Sequence, residues 1–248
     1  MASIGRYGYI SNPVFGDTGK GLSQPQPRQA AGFDDLVRSF PGFDDSNKTR
    51  NVTQNINLAG DNMSYISQIN NYIPKNKQET QDKKVILNYI NSFPSTVLLR
   101  DNEIAHITSS SLIINPAADK ILMIHHNIRN TWSWTGGHAD GNENLLEVAI
   151  KEAYEETGVM ATPISPEIAS IDILSALGHV KNGAYVNSHL HLSIAYVLTA
   201  DENDIPVVKP DENSAVKWFP VSALRGEPFT YRDAYLYTKL LQQARQWL

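Results

Sequence analysis

Hydrophobic and polar positions fall into two textures along the chain. In the stretch 79–93, Val85, Ile86, Tyr89, Ile90 and Phe93 recur at helical spacing and Pro94 follows, which predicts an amphipathic helix ended by the proline. Beyond it the pattern turns to β. The runs 105–115 (AHITSSSLIIN) and 120–126 (KILMIHH) read as strands separated by the turn-like NPAAD, and 168–177 and 188–200 as two more. Between these strand pairs, Leu146, Ala149, Ile150 and Ala153 mark one face of a central helix. Asn144 with Glu147 resembles its opening cap, and Gly158 its end. A last amphipathic helix is predicted over about 232–247. Strand pairs around a central helix, with helices at both ends, indicate an α+β or mixed α/β fold.

The central helix carries an arrangement that stability alone does not explain. Glu152, Glu155 and Glu156 stand at i, i+3 and i+4, so three carboxylates project within an arc of about 100°. Like charges so spaced cost an isolated helix about 0.2–0.5 kcal/mol per pair. They also lie near the helix C-terminus, where the macrodipole disfavours anions. A hard divalent cation, Mg²⁺ or Mn²⁺, would resolve the conflict. Gly136, Gly137 and Gly141 precede the helix and let main-chain groups approach a ligand closely.

The spacing Gly137, five residues, Glu143, seven residues, then Lys151-Glu152-Ala153-Tyr154-Glu155-Glu156-Thr157-Gly158-Val159 resembles the Nudix box. Seven of its nine fixed or class positions match; Lys151 replaces the usual arginine, and Ala153 is smaller than the usual aliphatic residue. The resemblance implies an α/β/α sandwich around a mixed β-sheet. It also implies a metal-dependent pyrophosphohydrolase that cleaves a nucleoside diphosphate linked to another moiety. By the same resemblance, Glu152 and Glu156 are the core metal ligands, Glu155 a third ligand or a water-mediated contact, and the carbonyl of Gly136 or Gly137 often completes the shell. Glu143 becomes a structural residue tied to Lys151, and Gly158 ends the helix. Lysine is a point charge without the planar fork of arginine, so this tie should orient less sharply.

A general base is often supplied outside the box, and Glu212, six residues before Trp218, is the candidate for a base or additional ligand. A turn acid is the competing reading, since Asp211 and Asn213 suit a turn as well. Strand alternation puts Trp132 and Trp134 on one face, in a core or as a surface for a base or sugar. His138 follows the glycines, as a loop histidine or a phosphate contact. His189 and His191 alternate on one strand face, but no third donor lies near them in sequence, which favours packing or solvent exposure over a metal site. No tag marking a substrate subgroup is present. Two further readings stand beside the enzyme: a non-catalytic nucleotide sensor, which predicts a degraded acid cluster, and a protein tethered to a partner.

Composition narrows the classes. The chain has 248 residues, 41% of them hydrophobic, no cysteine and a net charge of −5. Absent thiols exclude disulfide scaffolds, Cys-ligated metal, and the cysteine-dependent isopentenyl diphosphate isomerases of the same fold. The acidic balance argues against nucleic acid as a partner. No apolar run reaches the roughly 18 residues of a membrane span, and no secretory signal opens the chain, so the cytoplasm is the expected location. Residues 1–62 hold eight of the fifteen glycines and repeat GFDD at 32–35 and 42–45. They are expected to be an extension, a fusion segment or a docking arm, with 63–95 a helical lead-in and 96–248 the enzyme domain. A homodimer is expected by analogy with the family alone.

Overall fold

The computed structural model describes residues 63–181 and 183–248. The expectations for 1–62 therefore lie outside the described residues. Two helices lead in: α1 (Tyr65–Asn71) and α2 (Lys77–Ser92). The Asn76 side chain accepts the Glu79 N–H at 2.9 Å and caps α2. Ile86 and Ile90 are buried as the periodicity predicts. Val85 and Phe93 are not, at 49% and 44% exposure. The helix lies at the margin of the sheet and buries a narrow stripe. Phe93 is its C-terminal cap residue, with its ring 4.6 Å from that of Tyr89.

β1 (Ala105–Ile114) and β2 (Lys120–His126) lie where the strand runs predict. β3 (Thr131–Ser133) and β4 (Thr135–His138) follow, and α3 (Leu145–Thr157) carries the acid cluster. Next come β5 (Thr162–Pro163), β6 (Ser170–Ala176), the small hairpin β7 (His179–Lys181) and β8 (Ala184–Val186), and the long β9 (His189–Thr199). β10 (Asn213–Pro220) and a 3₁₀ turn precede α4 (Tyr231–Trp247). The stretch that follows Glu212 up to Pro220 is strand, and Glu212 stands immediately before it.

The eight-stranded sheet is mixed. β1 runs parallel to β9 from Ala105↔Leu190 to Ile114↔Thr199, and the other pairings are antiparallel. The opposite edge of β1 is shared: β4 pairs with Thr108–Ser111, and β2 with Ile113–Ile114. β4, which carries Gly136 and Gly137, thus takes the part of that edge that β2 leaves.

β1 is buried along its whole length, which suits a strand covered on both faces. Ala105, Ile107 and Ile113 join α1, α2 and α3 in one core, while Leu112 and Ile114 join α4 in the other. Two of its buried hydroxyls have partners across the elements: Ser109 donates to the Leu145 carbonyl, and Ser111 lies 2.8 Å from the Thr135 hydroxyl. The result is the α/β/α sandwich implied by the resemblance. No helix among the described residues is long and apolar enough to cross a membrane.

Candidate active site

α3 is built as its sequence predicts. The Asn144 side chain accepts the Glu147 N–H at 3.2 Å, and Leu146, Ala149, Ile150 and Ala153 are buried against the sheet. Gly158 closes the helix with φ 68°, and its N–H donates to the Tyr154 carbonyl at 2.7 Å. A Cβ on Gly158 would stand 2.9 Å from Val207 Cβ. Gly158→Ala therefore combines left-handed strain with a clash, and should cost about 1–2 kcal/mol in urea unfolding.

The buried face holds α3 so that its acids meet β4. Glu156, 4% exposed, accepts the Gly136 N–H at 2.9 Å. Glu152 lies against Gly137, where a Cβ would come 2.5 Å from its Oε1. This approach requires glycine. Burial, and next to it the neighbouring Glu155, pushes Glu152 up to about 7. Burial raises Glu156 well above the ordinary carboxyl range; the Gly136 hydrogen bond opposes this, and Glu152 and Glu212 add to it. Glu212 is thus brought within electrostatic reach of both box acids. Its main chain is pinned by Asn127, whose N–H donates to the Glu212 carbonyl at 2.9 Å.

Two residues of this neighbourhood were not singled out by sequence. Lys209 Nζ stands 3.3 Å from Glu212 and 3.6 Å from Glu155, bridging the loop acid to the helix. Its i, i+3 spacing to Glu212 was the available signal. Asn213 is fully buried and donates to the Glu156 carbonyl at 2.8 Å. Lys151 has a different partner from the one expected: its ion pair runs to Glu155 at 3.3 Å rather than to Glu143, which is exposed. One helical turn brings Lys151 and Glu155 together, and Glu143 lies before the helix begins.

Four carboxylates thus face two ammonium groups, and the two most buried acids are held towards their neutral form. An oxygen-rich site short of positive charge fits a hard divalent cation.

The tryptophans divide. Trp134 is 6% exposed and packs 5.8 Å from the Tyr237 ring in the core under α4, which removes it as a substrate contact. Trp132 is half-buried, edge-on to Phe219 at 4.8 Å and to His125 at 5.3 Å. His138 ends a strand rather than standing in a loop, and it pairs with Thr108 on the sheet face opposite Glu152. There it meets His106, His189 and His191, whose ligand-competent atoms all lie within 4.8 Å of one another. No third donor lies near His189 and His191 in sequence, and the fold brings two from afar: His106 and His138 arrive from β1 and β4, adjacent in register.

A sequence profile of the NUDIX domain matches residues 105–240. Over 145 residues the chain is 27% identical to a probable DHNTP pyrophosphohydrolase of Lactococcus lactis subsp. cremoris (strain MG1363), an alignment spanning 58% of this chain and 82% of that relative. Among solved structures it is similar to a NUDIX-family hydrolase from Clostridium perfringens, at 24% identity and TM-score 0.41, with 55% of this chain and 96% of the other covered. It is also similar to an ADP-ribose pyrophosphatase from Streptococcus suis 89-1591, at 18% identity and TM-score 0.39, covering 56% and 91% respectively.

Proposed function

Because this chain belongs to the Nudix hydrolase family, whose domain profile covers 105–240, we propose that it hydrolyses the diphosphate of a nucleotide-type substrate with the aid of Mg²⁺ or Mn²⁺. The observation that carries this reading is the convergence of Glu152 and Glu156 on the Gly136–Gly137 backbone, with Glu212 across from both.

Glu152, Glu156 and Glu155 would hold the cation, with the Gly137 carbonyl. The chemistry it supplies when bound is neutralisation of the diphosphate and activation of water. Glu212 takes the proton of the attacking water at its carboxylate. Lys209, between Glu212 and Glu155, ties the loop acid to the helix acid through two ion pairs. Lys151 positions Glu155 from the preceding turn. Gly136 fixes Glu156 through its N–H, so the acid is oriented before substrate arrives. The half-buried Trp132 offers an aromatic surface for the base-like part of the substrate.

The name of the Lactococcus relative makes DHNTP the first substrate to try. The screen sets it beside nucleoside triphosphates, ADP-ribose, dinucleoside polyphosphates, NADH and nucleotide sugars, each with Mg²⁺, Mn²⁺ or excess chelator. Turnover of at least one member should depend on the ion, and Glu212→Gln should lower kcat with little change in KM. If no member turns over with either ion, the domain is a nucleotide-binding module instead. Full activity in Glu212→Gln removes that residue from the chemistry.

A further inference from the structure

We propose that His106, His138, His189 and His191 form a second metal site, specific for a nitrogen-preferring ion of the Zn²⁺ class and separate from the carboxylate site. Three neighbouring strands create it. His106 on β1 pairs directly with His191 on β9, and His189 lies two residues earlier on the same face of β9. On the other side of β1, His138 of β4 pairs with Thr108, whose side chain shares the His106 face. Four imidazoles thus crowd one patch of the sheet, with ring centroids 4.8–5.5 Å apart for the five close pairs.

The hydrogen bonds determine what these rings offer. His106 Nδ1 lies 2.9 Å from the Asn102 carbonyl, and His189 Nδ1 lies 2.7 Å from the Asn187 carbonyl. A carbonyl oxygen only accepts, so both Nδ1 atoms carry the proton and both Nε2 atoms present a lone pair. Carbonyl groups that fix the tautomer in this way are the usual outer support of a metal-bound histidine. His106 is 3% exposed, and its Nε2 has no hydrogen-bond partner. A buried acceptor without a donor calls for a ligand. His191 Nε2 lies 3.0 Å from His189 Nε2 and, with no ion bound, donates to its lone pair; the separation is close to the roughly 3.3 Å edge of a tetrahedron with Zn–N bonds of about 2.0–2.1 Å.

The lone pairs of His106 and His189 repel an anion, so a phosphate pocket is the wrong description. Neutral imidazoles also suit Zn²⁺ over Mg²⁺, which prefers oxygen. The opposite faces of β4 keep the two sites apart: Gly137 faces Glu152 on α3, and His138 faces the other way. Four protein donors close the tetrahedron, and a closed zinc site is structural. Here the ion clamps β4, and with it the glycines that receive the box acids, to β1 and β9.

Co²⁺ is added to the untagged, chelator-stripped full-length chain and then displaced with Zn²⁺. Wild type and Glu156→Gln should each bind one Co²⁺ with the intense visible absorption of a four-coordinate nitrogen site. One equivalent of Zn²⁺ should displace it, and the melting temperature should rise. His106→Ala and His191→Ala should lose the absorption. X-ray absorption on Zn²⁺-loaded wild type needs no variant to fold, and should read four imidazole nitrogens. The weak absorption of six-coordinate Co²⁺, an oxygen-dominated shell, or a signal lost in Glu156→Gln but kept in the histidine variants overturns the assignment. None of these readouts depends on hydrolysis.

Discussion

Glu156→Gln should lower the rate of diphosphate hydrolysis by about a hundredfold to a thousandfold, the scale of removing one preorganised electrostatic contact. The same change should leave the metal-free protein folded and more stable at alkaline pH. Glu156 is buried, raised well above the ordinary range, and repelled by Glu152 and Glu212. The amide keeps the shape and discards the charge. Glu152 gives the pH window, since its folded value is about 7 against an ordinary 4.5. The folded state then binds more protons than the unfolded chain between those values, so metal-free stability falls as pH rises from about 4.5 past 7. For Glu152 alone this loss is about 3 kcal/mol. Melting curves from pH 5 to pH 8 in chelator should show the decline in wild type. Glu156→Gln should show a shallower one, and saturating Mg²⁺ should flatten the wild-type profile. A metal-free protein whose stability rises over that range would contradict the crowding of charge described above.

The second large effect concerns a buried ion cluster far from the box. Lys239 of α4, 10% exposed at its side chain, bridges Glu79 of α2 at 3.0 Å and Asp172 of β6 at 2.6 Å. Glu79 also accepts the Tyr72 hydroxyl at 2.8 Å and the Lys75 N–H at 2.7 Å. Lys239→Met fills the same space but strands two carboxylates without their cation. Breaking a buried pair from one side costs about 3–5 kcal/mol. For a protein of this size that is a fall of roughly 6–20 °C in melting temperature, at about 2–4 °C per kcal/mol. Restoring neutrality with Glu79→Gln and Asp172→Asn in the same chain should recover part of the loss. A cost below about 1 kcal/mol in the single variant would show that water reaches the cluster and screens it.

Much of this arrangement was legible because it is local. The cap at Asn144, the buried stripe from Leu146 to Ala153 and the stop at Gly158 are all written within one helix, and α3 has those features. β1, β2 and β9 were readable from dense runs of β-branched and aliphatic residues. β10 was obscured because charged and proline residues flank it, and its alternation is short. Glu212 was readable as a candidate from its place before Trp218, but Lys209 acquires meaning only once the loop folds back onto α3. The histidine cluster was invisible for the same reason. His106 and His191 are neighbours only by the parallel register of β1 and β9, which no local pattern encodes.

That parallel register also constrains the order in which the protein assembles. β1 must remain exposed on one edge until β9 is available, about 85 residues later in the chain. Closing so long a loop before any pairing energy is recovered makes this a slow step of folding. During synthesis β1, β2 and β4 can pair first, because they lie within 34 residues of one another. The apolar rim of β1 is then open to other chains until β9 docks. Refolding yield should therefore fall with protein concentration more steeply than the size of the domain alone would suggest.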